Sequence, residues 1–299
     1  MKKIRNFILF LSAILILLTL FNKFTLSYHD PFKVNKDCNV LILGDSHAKF
    51  AFNDQIIKRT CNFSNDADSY FYSYLKLKQI LKINPQIDTV LISFGSQNIH
   101  KSVEDKWLLN NDHMNDRMTI YFPLLDLEDY AFLIQEKPVE FLIGAFTQTL
   151  FSIRLYTNDE KRFGGYEDLR HDILSRELKN PDLDEREEYG PYKEANFERK
   201  YLQKMIDLCH SKGIGAILVN PPVDKIVRNR QGNLYKFYNK YFSNILFYDL
   251  SRIDMKDSYF GDLVHLKASG ATYLSELINK ENLLNPKYAE KYGIIYKGK

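Results

Sequence analysis

The chain has 299 residues, and 45% of them are hydrophobic, which is enough for one large α/β domain, or for a domain with an insertion, and too apolar for a disordered chain. Its formal net charge is only +3, and it shows no zinc-finger spacing and no Gly-rich phosphate loop. We therefore expect no nucleic-acid partner, no metal and no cofactor.

The N-terminus differs from the rest of the chain. A basic start that ends at Arg5 precedes an apolar run over residues 7–21. This pattern is typical of an export signal or a membrane anchor. A complete span needs roughly 20 apolar residues, so the run is slightly short unless residues 24–26 extend it. Bulky residues follow the run instead of a small-residue cleavage site. We therefore expect an uncleaved anchor over residues 1–26, a linker over 27–37, and a domain that lies outside the cytoplasm at the cell membrane.

Three cysteines are too few for a disulfide framework. Cys38 and Cys61 each begin a predicted strand, and they could meet if those strands are parallel neighbours. We favour the alternative, in which these two and Cys209 are three separate small apolar residues.

Short apolar runs alternate with helical patterns through much of the chain after the linker. The predicted strands are residues 39–43, 61–63, 89–94, 214–219 and 245–250. The predicted helices are residues 52–59, 69–81, 197–212, 223–242 and 268–284. This alternation predicts an α/β domain over residues 38–299, with a doubly wound parallel sheet of about five strands and right-handed crossovers.

The alternation is interrupted between about residues 99 and 196, where little strand pattern occurs. We interpret this stretch as a mainly helical insertion that could cover the sheet. Its helix-like pieces are residues 125–135, 139–150 and 166–178. At the other end of the chain, we expect residues 287–299 to form a solvated tail.

Polar residues follow the first, third and last predicted strands. Ser46 follows the first strand, Gln97 and Asn98 follow the third, and Asp262 and His265 follow the last. Ligand sites in open α/β sheets lie at the carboxyl ends of the strands. We therefore expect these segments to converge at one edge of the sheet.

These residue types fit nucleophilic catalysis. A serine hydroxyl needs a base, which His265 can provide, and Asp262 can hold the other ring nitrogen of that histidine. Backbone N–H groups after the first strand, or a side-chain amide from Gln97 or Asn98, could stabilise an oxyanion. A Gly-Asp-Ser turn alone is often only a turn, and Asp-x-x-His alone is often a helix cap. Their joint occurrence after the first and last strands favours a catalytic triad.

The remaining histidines show no metal-ligand spacing. We expect His113, His171 and His210 to be structural or exposed. We expect His47 to be a turn or cleft residue and Asp45 to stabilise the turn.

Two motifs resemble a known family. Leu-Gly-Asp-Ser-His at residues 43–47 is similar to the first sequence block of the SGNH, or GDSL, hydrolase superfamily, and Asp-Leu-Val-His at residues 262–265 is similar to its last block. The resemblance covers most of residues 38–98 and 197–284. It implies a flavodoxin-like three-layer sandwich and serine-dependent acyl-ester chemistry.

The middle blocks depart from the family pattern. The family has an oxyanion-donating Gly after the second strand, whereas residues 62–69 contain none. A backbone N–H in this stretch could still donate, and Ser64 is the candidate. The third block is normally Gly-x-Asn-Asp, and this chain has Gly-Ser-Gln-Asn at residues 95–98. Either Gln97 fills the role of the family's Asn, or a local shift presents Asn98.

The anchored architecture resembles that of family members that modify polysaccharides. It implies acyl transfer, with acetyl as the expected group, on or off hydroxyls of a cell-surface glycan. With water as acceptor the protein is an esterase, and with a sugar hydroxyl it is an O-acyltransferase. The expected partners are an O-acylated glycan or an acceptor sugar, the membrane, and a membrane acyl-transfer protein. The altered middle blocks motivate an alternative, a non-catalytic glycan-binding or polysaccharide-assembly protein on the same fold.

Overall fold

The computed structural model describes residues 2–108, 110–150, 163–179 and 191–298. Its sheet has five strands: β1 (Val40–Leu43), β2 (Thr60–Asn62), β3 (Thr89–Ser93), β4 (Gly215–Asn220) and β5 (Leu246–Asp249). Their order is β2-β1-β3-β4-β5, and all neighbours are parallel. This is the flavodoxin-like order of doubly wound sheets. The predicted fold class is therefore confirmed, and each predicted strand matches the observed one to within one residue at either end.

Helices connect the strands and extend the N-terminus. They are α1 (Lys2–His29), α2 (Ser46–Ala51), α3 (Tyr70–Ile83), α4 (Lys101–Trp107), α5 (Asn111–Tyr121), α6 (Leu127–Glu136), α7 (Pro138–Thr147), α8 (Leu174–Lys179), α9 (Asn196–Ser211), α10 (Lys225–Arg228), α11 (Gly232–Tyr241), α12 (Ala268–Lys280) and α13 (Pro286–Tyr292). Short 3-10 turns lie at Ser96–Ile99, Phe122–Leu124, Gln148–Leu150, Leu250–Arg252 and Asp257–Tyr259.

The central strands are apolar through most of their length because both faces of a parallel sheet are covered. All four residues of β1 are buried. On one face, Ile42, Leu91 and Val219 from three adjacent strands share a core with Leu274 and Ile278 of α12. This packing fixes the strand ends that carry the predicted site residues.

The chain divides into two compact units. One consists of Met1–Lys33 and Lys106–Arg162, and the other consists of Val34–Asp105 and Phe163–Lys299. The second unit contains the sheet. The boundaries at 106 and 162 fall inside the stretch that the sequence pattern marks as an insertion.

The first unit is built around α1, the one helix among the described residues that is long and apolar enough to cross a membrane. Its C-terminal end is packed within the unit, where Asn22, Thr25 and Leu26 are buried. The Asn22 side chain donates to the Gln148 carbonyl at 2.8 Å, and the Gln148 side chain donates to the Thr19 hydroxyl at 2.9 Å. The end of the apolar helix is therefore an integral part of this folded unit.

The preferred interpretation of the cysteines is wrong. Cys38 and Cys61 form a disulfide, with their Cα atoms 5.9 Å apart, and Cys209 is free and buried. β1 and β2 are adjacent and parallel, with Leu41 opposite Cys61. The sequence does not state which strands are neighbours, and this neighbour relation decides the pairing.

Two predicted helices also differ from the structure. The helix after β1 begins at Ser46 and ends at Ala51, so residues 52–59 form turns instead of a helix. The helix predicted over residues 166–178 is confined to α8, and residues 164–173 are irregular.

The C-terminal segment is not merely a solvated tail. It contains α13, and the buried Ile294 follows that helix. Asp249 N–H donates to the Ile294 carbonyl at 2.7 Å, and Tyr296 N–H donates to the Phe247 carbonyl at 2.9 Å. β5 is an edge strand with backbone groups available for pairing, and this segment occupies them.

Buried carboxyl groups cap two helices that pack against each other. Glu104 accepts hydrogen bonds from the N–H groups of Phe197 and Glu198 at the start of α9, at 2.7 and 2.9 Å. Glu198 in turn accepts one from Tyr70 N–H at the start of α3, at 2.7 Å. Burial, followed by the nearby charges of Glu104 and Asp45, raises the pKa of Glu198 to about 8, although the Tyr70 bond opposes the shift.

Glu198→Gln should make the stability of the protein less dependent on pH. A carboxyl group whose pKa rises on folding contributes stability that is complete below its unfolded pKa of about 4.3 and is lost as pH rises through the folded pKa. The apparent melting temperature of the wild type in detergent should thus fall relative to that of Glu198→Gln between pH 5 and pH 8. The exposed Glu276→Gln is the matched control. Parallel pH profiles for the wild type and Glu198→Gln would contradict the raised pKa.

Candidate active site

The serine lies at a tight turn between β1 and α2. Asp45 is the N-cap of α2, and its Oδ1 accepts a hydrogen bond from His47 N–H at 3.0 Å. Ser46 is the first residue of that helix and is partly exposed. The N–H of Ser46 has no hydrogen-bond partner among the described residues. As predicted, Asp45 acts as a turn-stabilising residue.

The third strand end is tied to this turn through the other oxygen of Asp45. Its Oδ2 accepts hydrogen bonds from the side-chain amides of Gln97 at 2.8 Å and Asn98 at 2.9 Å. Asn98 is itself held, because its Oδ1 accepts from Gly95 N–H at 2.8 Å. Both predicted residues thus lie next to the serine turn, and each uses one amide hydrogen to hold Asp45.

The histidine and the second carboxylate lie in the loop between β5 and α12. Asp262 Oδ1 accepts hydrogen bonds from the N–H groups of Val264 and His265, at 2.8 and 2.7 Å. Asp262 Oδ2 lies 2.8 Å from His265 Nδ1. The three-residue spacing of Asp-x-x-His therefore lets one carboxylate fix both the loop backbone and the imidazole ring.

The two distant segments meet. Ser46 Oγ lies 2.8 Å from His265 Nε2. With the Nδ1 hydrogen directed at Asp262, the Nε2 lone pair faces the serine hydroxyl, which is the tautomer that a general base requires. The rings of His47 and Phe50 pack edge-on against the His265 ring, with centroids at 4.9 and 5.4 Å. His47 therefore supports the imidazole from the side, as a cleft residue.

Asp262 remains ionised in this environment. Burial is the largest single influence and opposes ionisation. The hydrogen bond and charge of His265, with the bonds from His171 and Val264, outweigh it and hold the pKa of Asp262 well below its usual range. A permanent negative charge therefore lies beside His265 and favours the imidazolium form that arises when the ring takes a proton.

A third histidine completes the site, and the sequence pattern did not reveal it. His171 Nε2 lies 2.7 Å from Asp262 Oδ2, the same oxygen that contacts His265. The His171 side chain is 47% exposed, so the expectation of an exposed residue holds, but the residue also contacts the predicted triad acid. No motif surrounds it in the sequence, and only its spatial contact identifies it.

Backbone contacts place the His171 segment against the Asp262 loop. Gly261 carbonyl accepts from Ile173 N–H at 2.7 Å, and Leu263 N–H donates to Glu177 Oε2 at 2.8 Å. A Cβ atom at Gly261 would collide with the side chain of Leu169 and the carbonyl of His171. Glycine is therefore required for this close approach.

The geometry gives no support to Ser64 as an oxyanion donor. Ser64 is fully buried, and its N–H donates to Asn62 Oδ1 at 2.8 Å. The next residue, Asn65, donates its N–H to the Gly44 carbonyl at 3.0 Å. The loop after β2 therefore abuts the serine turn, while these two N–H groups are already bonded.

One set of side chains in the described part of the chain could hold a metal ion. The ligand atoms of His171, Asp262 and His265 all lie within 4.8 Å of one another. The hydrogen bonds from both histidines to the carboxylate account for the same arrangement without a metal.

Comparisons with known proteins give structural similarities only. No protein-family model matches the chain, and no curated protein matches it. One similar solved structure is a protein from Bacteroides fragilis NCTC 9343 assigned as an acylhydrolase, at 11% identity and a TM-score of 0.37, with 81% of this chain and 84% of that chain covered. Another is a GDSL-like lipase from Bacteroides thetaiotaomicron VPI-5482, at 11% identity and a TM-score of 0.37, with 87% and 91% covered. At these values the chemistry must be argued from the side chains alone.

Gly44→Ala should displace the serine turn. A Cβ at residue 44 would collide with the Cβ of Ser93 on β3, which is attached to the backbone and has no rotamer to move into. We expect a lower melting temperature and slower labelling of Ser46 by a fluorophosphonate.

Ser93→Gly supplies the control, because it removes the atom that the new methyl group meets. The double variant Gly44→Ala/Ser93→Gly should label faster than Gly44→Ala alone. Equal labelling of the wild type and Gly44→Ala would contradict the tight packing at this turn.

Proposed function

We propose that this protein is a membrane-anchored enzyme of SGNH type that cleaves or transfers acyl esters, with acetyl as the expected group, on an extracytoplasmic glycan. The observation that carries the proposal is the connected set Ser46, His265 and Asp262, with successive separations of 2.8 and 2.8 Å. These are hydrogen-bond distances between a nucleophile, its base and the group that orients the base.

The geometry supports a two-step reaction. His265 Nε2 takes the hydroxyl proton as Ser46 Oγ attacks the acyl carbonyl, and Asp262 stabilises the imidazolium. The ester bond to the alcohol breaks, His265 returns the proton to the leaving oxygen, and the acyl group remains on Ser46. A second hydroxyl then attacks the acyl-enzyme while His265 again accepts the proton. The bond between the acyl carbon and Ser46 Oγ breaks, and His265 returns the proton to Ser46, which regenerates the enzyme. Water as this attacking group gives hydrolysis, and a sugar hydroxyl gives transfer.

An oxyanion site forms from few donors. The Ser46 N–H is placed at the first turn of α2, whereas the His47 N–H is already bonded to Asp45. Gln97 and Asn98 each retain one amide hydrogen beyond the one given to Asp45. Loss of one oxyanion donor typically costs about a hundredfold or more in rate.

Three features support the anchored, extracytoplasmic location. The end of α1 is buried within its own unit through Asn22, Thr25 and Leu26, so cleavage after these residues would remove part of the packed structure. The basic residues before the apolar run favour a cytoplasmic N-terminus. The Cys38–Cys61 disulfide fits an oxidising compartment.

The glycan substrate is supported by the resemblance of an anchored SGNH-type domain to enzymes of polysaccharide modification. Transfer would require an acyl donor supplied across the membrane, so a membrane acyl-transfer protein is the expected partner.

A second candidate function is a non-catalytic glycan-binding or polysaccharide-assembly protein. The side-chain amides of Gln97 and Asn98 donate hydrogen bonds to Asp45, and the Ser64 N–H donates one to Asn62. If the remaining donors are too few to stabilise an oxyanion, the triad geometry would persist without turnover.

Ser46→Ala should abolish acyl-enzyme formation in the full-length protein. We expect the wild type to hydrolyse an activated acetyl ester and to be labelled by a fluorophosphonate. Ser46→Ala should lose roughly a thousandfold or more of the turnover, because alanine has no hydroxyl with which to form the acyl intermediate. Ser243→Ala, on the surface, is the matched control and should label normally. A well-folded wild type with neither labelling nor turnover would favour the binding protein.

The acetyl content of the surface polysaccharide distinguishes an esterase from an O-acyltransferase. Deletion of the gene should raise the acetyl content if the protein is an esterase and lower it if the protein is a transferase.

His171→Ala should reduce kcat about fivefold with little change in KM, because loss of one hydrogen bond of about 1 kcal/mol leaves the orientation of Asp262 less fixed. His171→Gln keeps a side-chain N–H donor and should recover most of the lost rate. Asp262→Asn should be far slower than either variant. Equal kcat in the wild type and His171→Ala would show that His171 does not position the acid.

A further inference from the structure

The outward face of α7 is apolar and exposed. Val139, Leu142 and Phe146 are 58%, 51% and 47% exposed. Their spacing of three and four residues places them on one side of the helix. The only ionisable side chain of α7, Glu140, is buried. This side of the helix therefore presents no charge to its surroundings.

The opposite face of α7 is already used for packing within its unit. Gly144 and Ala145 are buried there. A Cβ atom on Gly144 would collide with the ring of Phe122 and touch Met118 of α5. A helix that is apolar on both sides belongs in a core or in lipid. Since the inner face fills the core of the unit, the outer face needs another apolar environment.

Contacts with the apolar helix α1 show at which height along α1 the C-terminal end of α7 lies. Gln148 follows α7 directly and contacts both Thr19 and Asn22 of α1. If the span starts at Phe7, about 20 residues carry it to Leu26. Thr19 lies seven residues before that point, which corresponds to roughly 10 Å along a helix. With the span placed in this way, the C-terminal end of α7 lies within the hydrocarbon layer.

We propose that the apolar face formed by Val139, Leu142 and Phe146 is a lipid-contacting surface that lies in the outer leaflet beside α1. A ten-residue helix is too short to span the bilayer, so it occupies one leaflet only. Lipid acyl chains are the occupant because α7 ends against the membrane helix, through Gln148, and its exposed face carries no charge. The inference rests on the anchoring of α1 in the proposed function, and it gives the anchor a second point of contact.

Tryptophan quenching in vesicles tests this surface in the full-length protein. The chain has a single tryptophan, Trp107, so Trp107→Phe gives a silent background. Three reporters are then introduced singly: Leu142→Trp on α7, Leu17→Trp on α1 and Tyr292→Trp on α13. The vesicles contain phosphatidylcholine and phosphatidylglycerol, with or without bromine on the acyl chains. Brominated lipid should lower the emission of Leu142→Trp and Leu17→Trp at least about twofold and leave Tyr292→Trp unchanged, because bromine quenches only reporters at acyl-chain depth.

The outcomes separate this surface from the anchor. Quenching at residue 17 without quenching at residue 142 would overturn the lipid-contacting surface and leave the anchor intact. No quenching at either position would overturn both. Phe146→Trp, on the same face, is a second reporter in case the substitution at residue 142 disturbs the local structure. Brominated lipid should quench it as it quenches Leu142→Trp. Cross-linking of Leu142→Cys into dimers, without quenching, would assign the face to a second copy and overturn the lipid proposal.

Discussion

The site depends on the carboxylate of Asp262. One oxygen holds the backbone of its own loop through Val264 and His265, and the other contacts the rings of His265 and His171. A buried carboxylate with this many donors stays ionised and cannot turn easily. The orientation of His265 towards Ser46, and hence the proposed chemistry, follows from that constraint.

A second carboxylate, that of Asp45, fixes the turn that presents Ser46. It caps α2 and is held by Gln97 and Asn98 from the end of β3. One of these two amides was expected to face an oxyanion, and in the structure both bind the turn that presents Ser46. The proposed enzyme and the proposed binding protein differ mainly in one respect. It is whether the remaining hydrogen-bond donors, the Ser46 N–H and the second amide hydrogens of Gln97 and Asn98, are enough to stabilise an oxyanion.

Much of the sheet domain could be predicted because its signals are local. A parallel strand that is covered on both faces must be apolar along its length, so each strand was visible as a short run. The turn after β1 and the Asp-x-x-His loop were visible because residues close in sequence make their internal bonds. His171, the disulfide and the pairing of the C-terminal segment with β5 had no local signal. His171 and the disulfide depend on partner residues that are more than twenty positions away in the sequence. The pairing of the C-terminal segment depends on β5 being an edge strand.

The sequence by itself determined the strands, the apolar N-terminal helix and the identity of the nucleophile, base and acid candidates, because these follow from side-chain polarity and short-range spacing. Only the tertiary structure decided that Ser46 and His265 lie 2.8 Å apart, that a second histidine shares the acid, and that one face of α7 remains uncovered. Such contacts are set by how strands order in a sheet and how helices pack, and neither is encoded within any single stretch of chain.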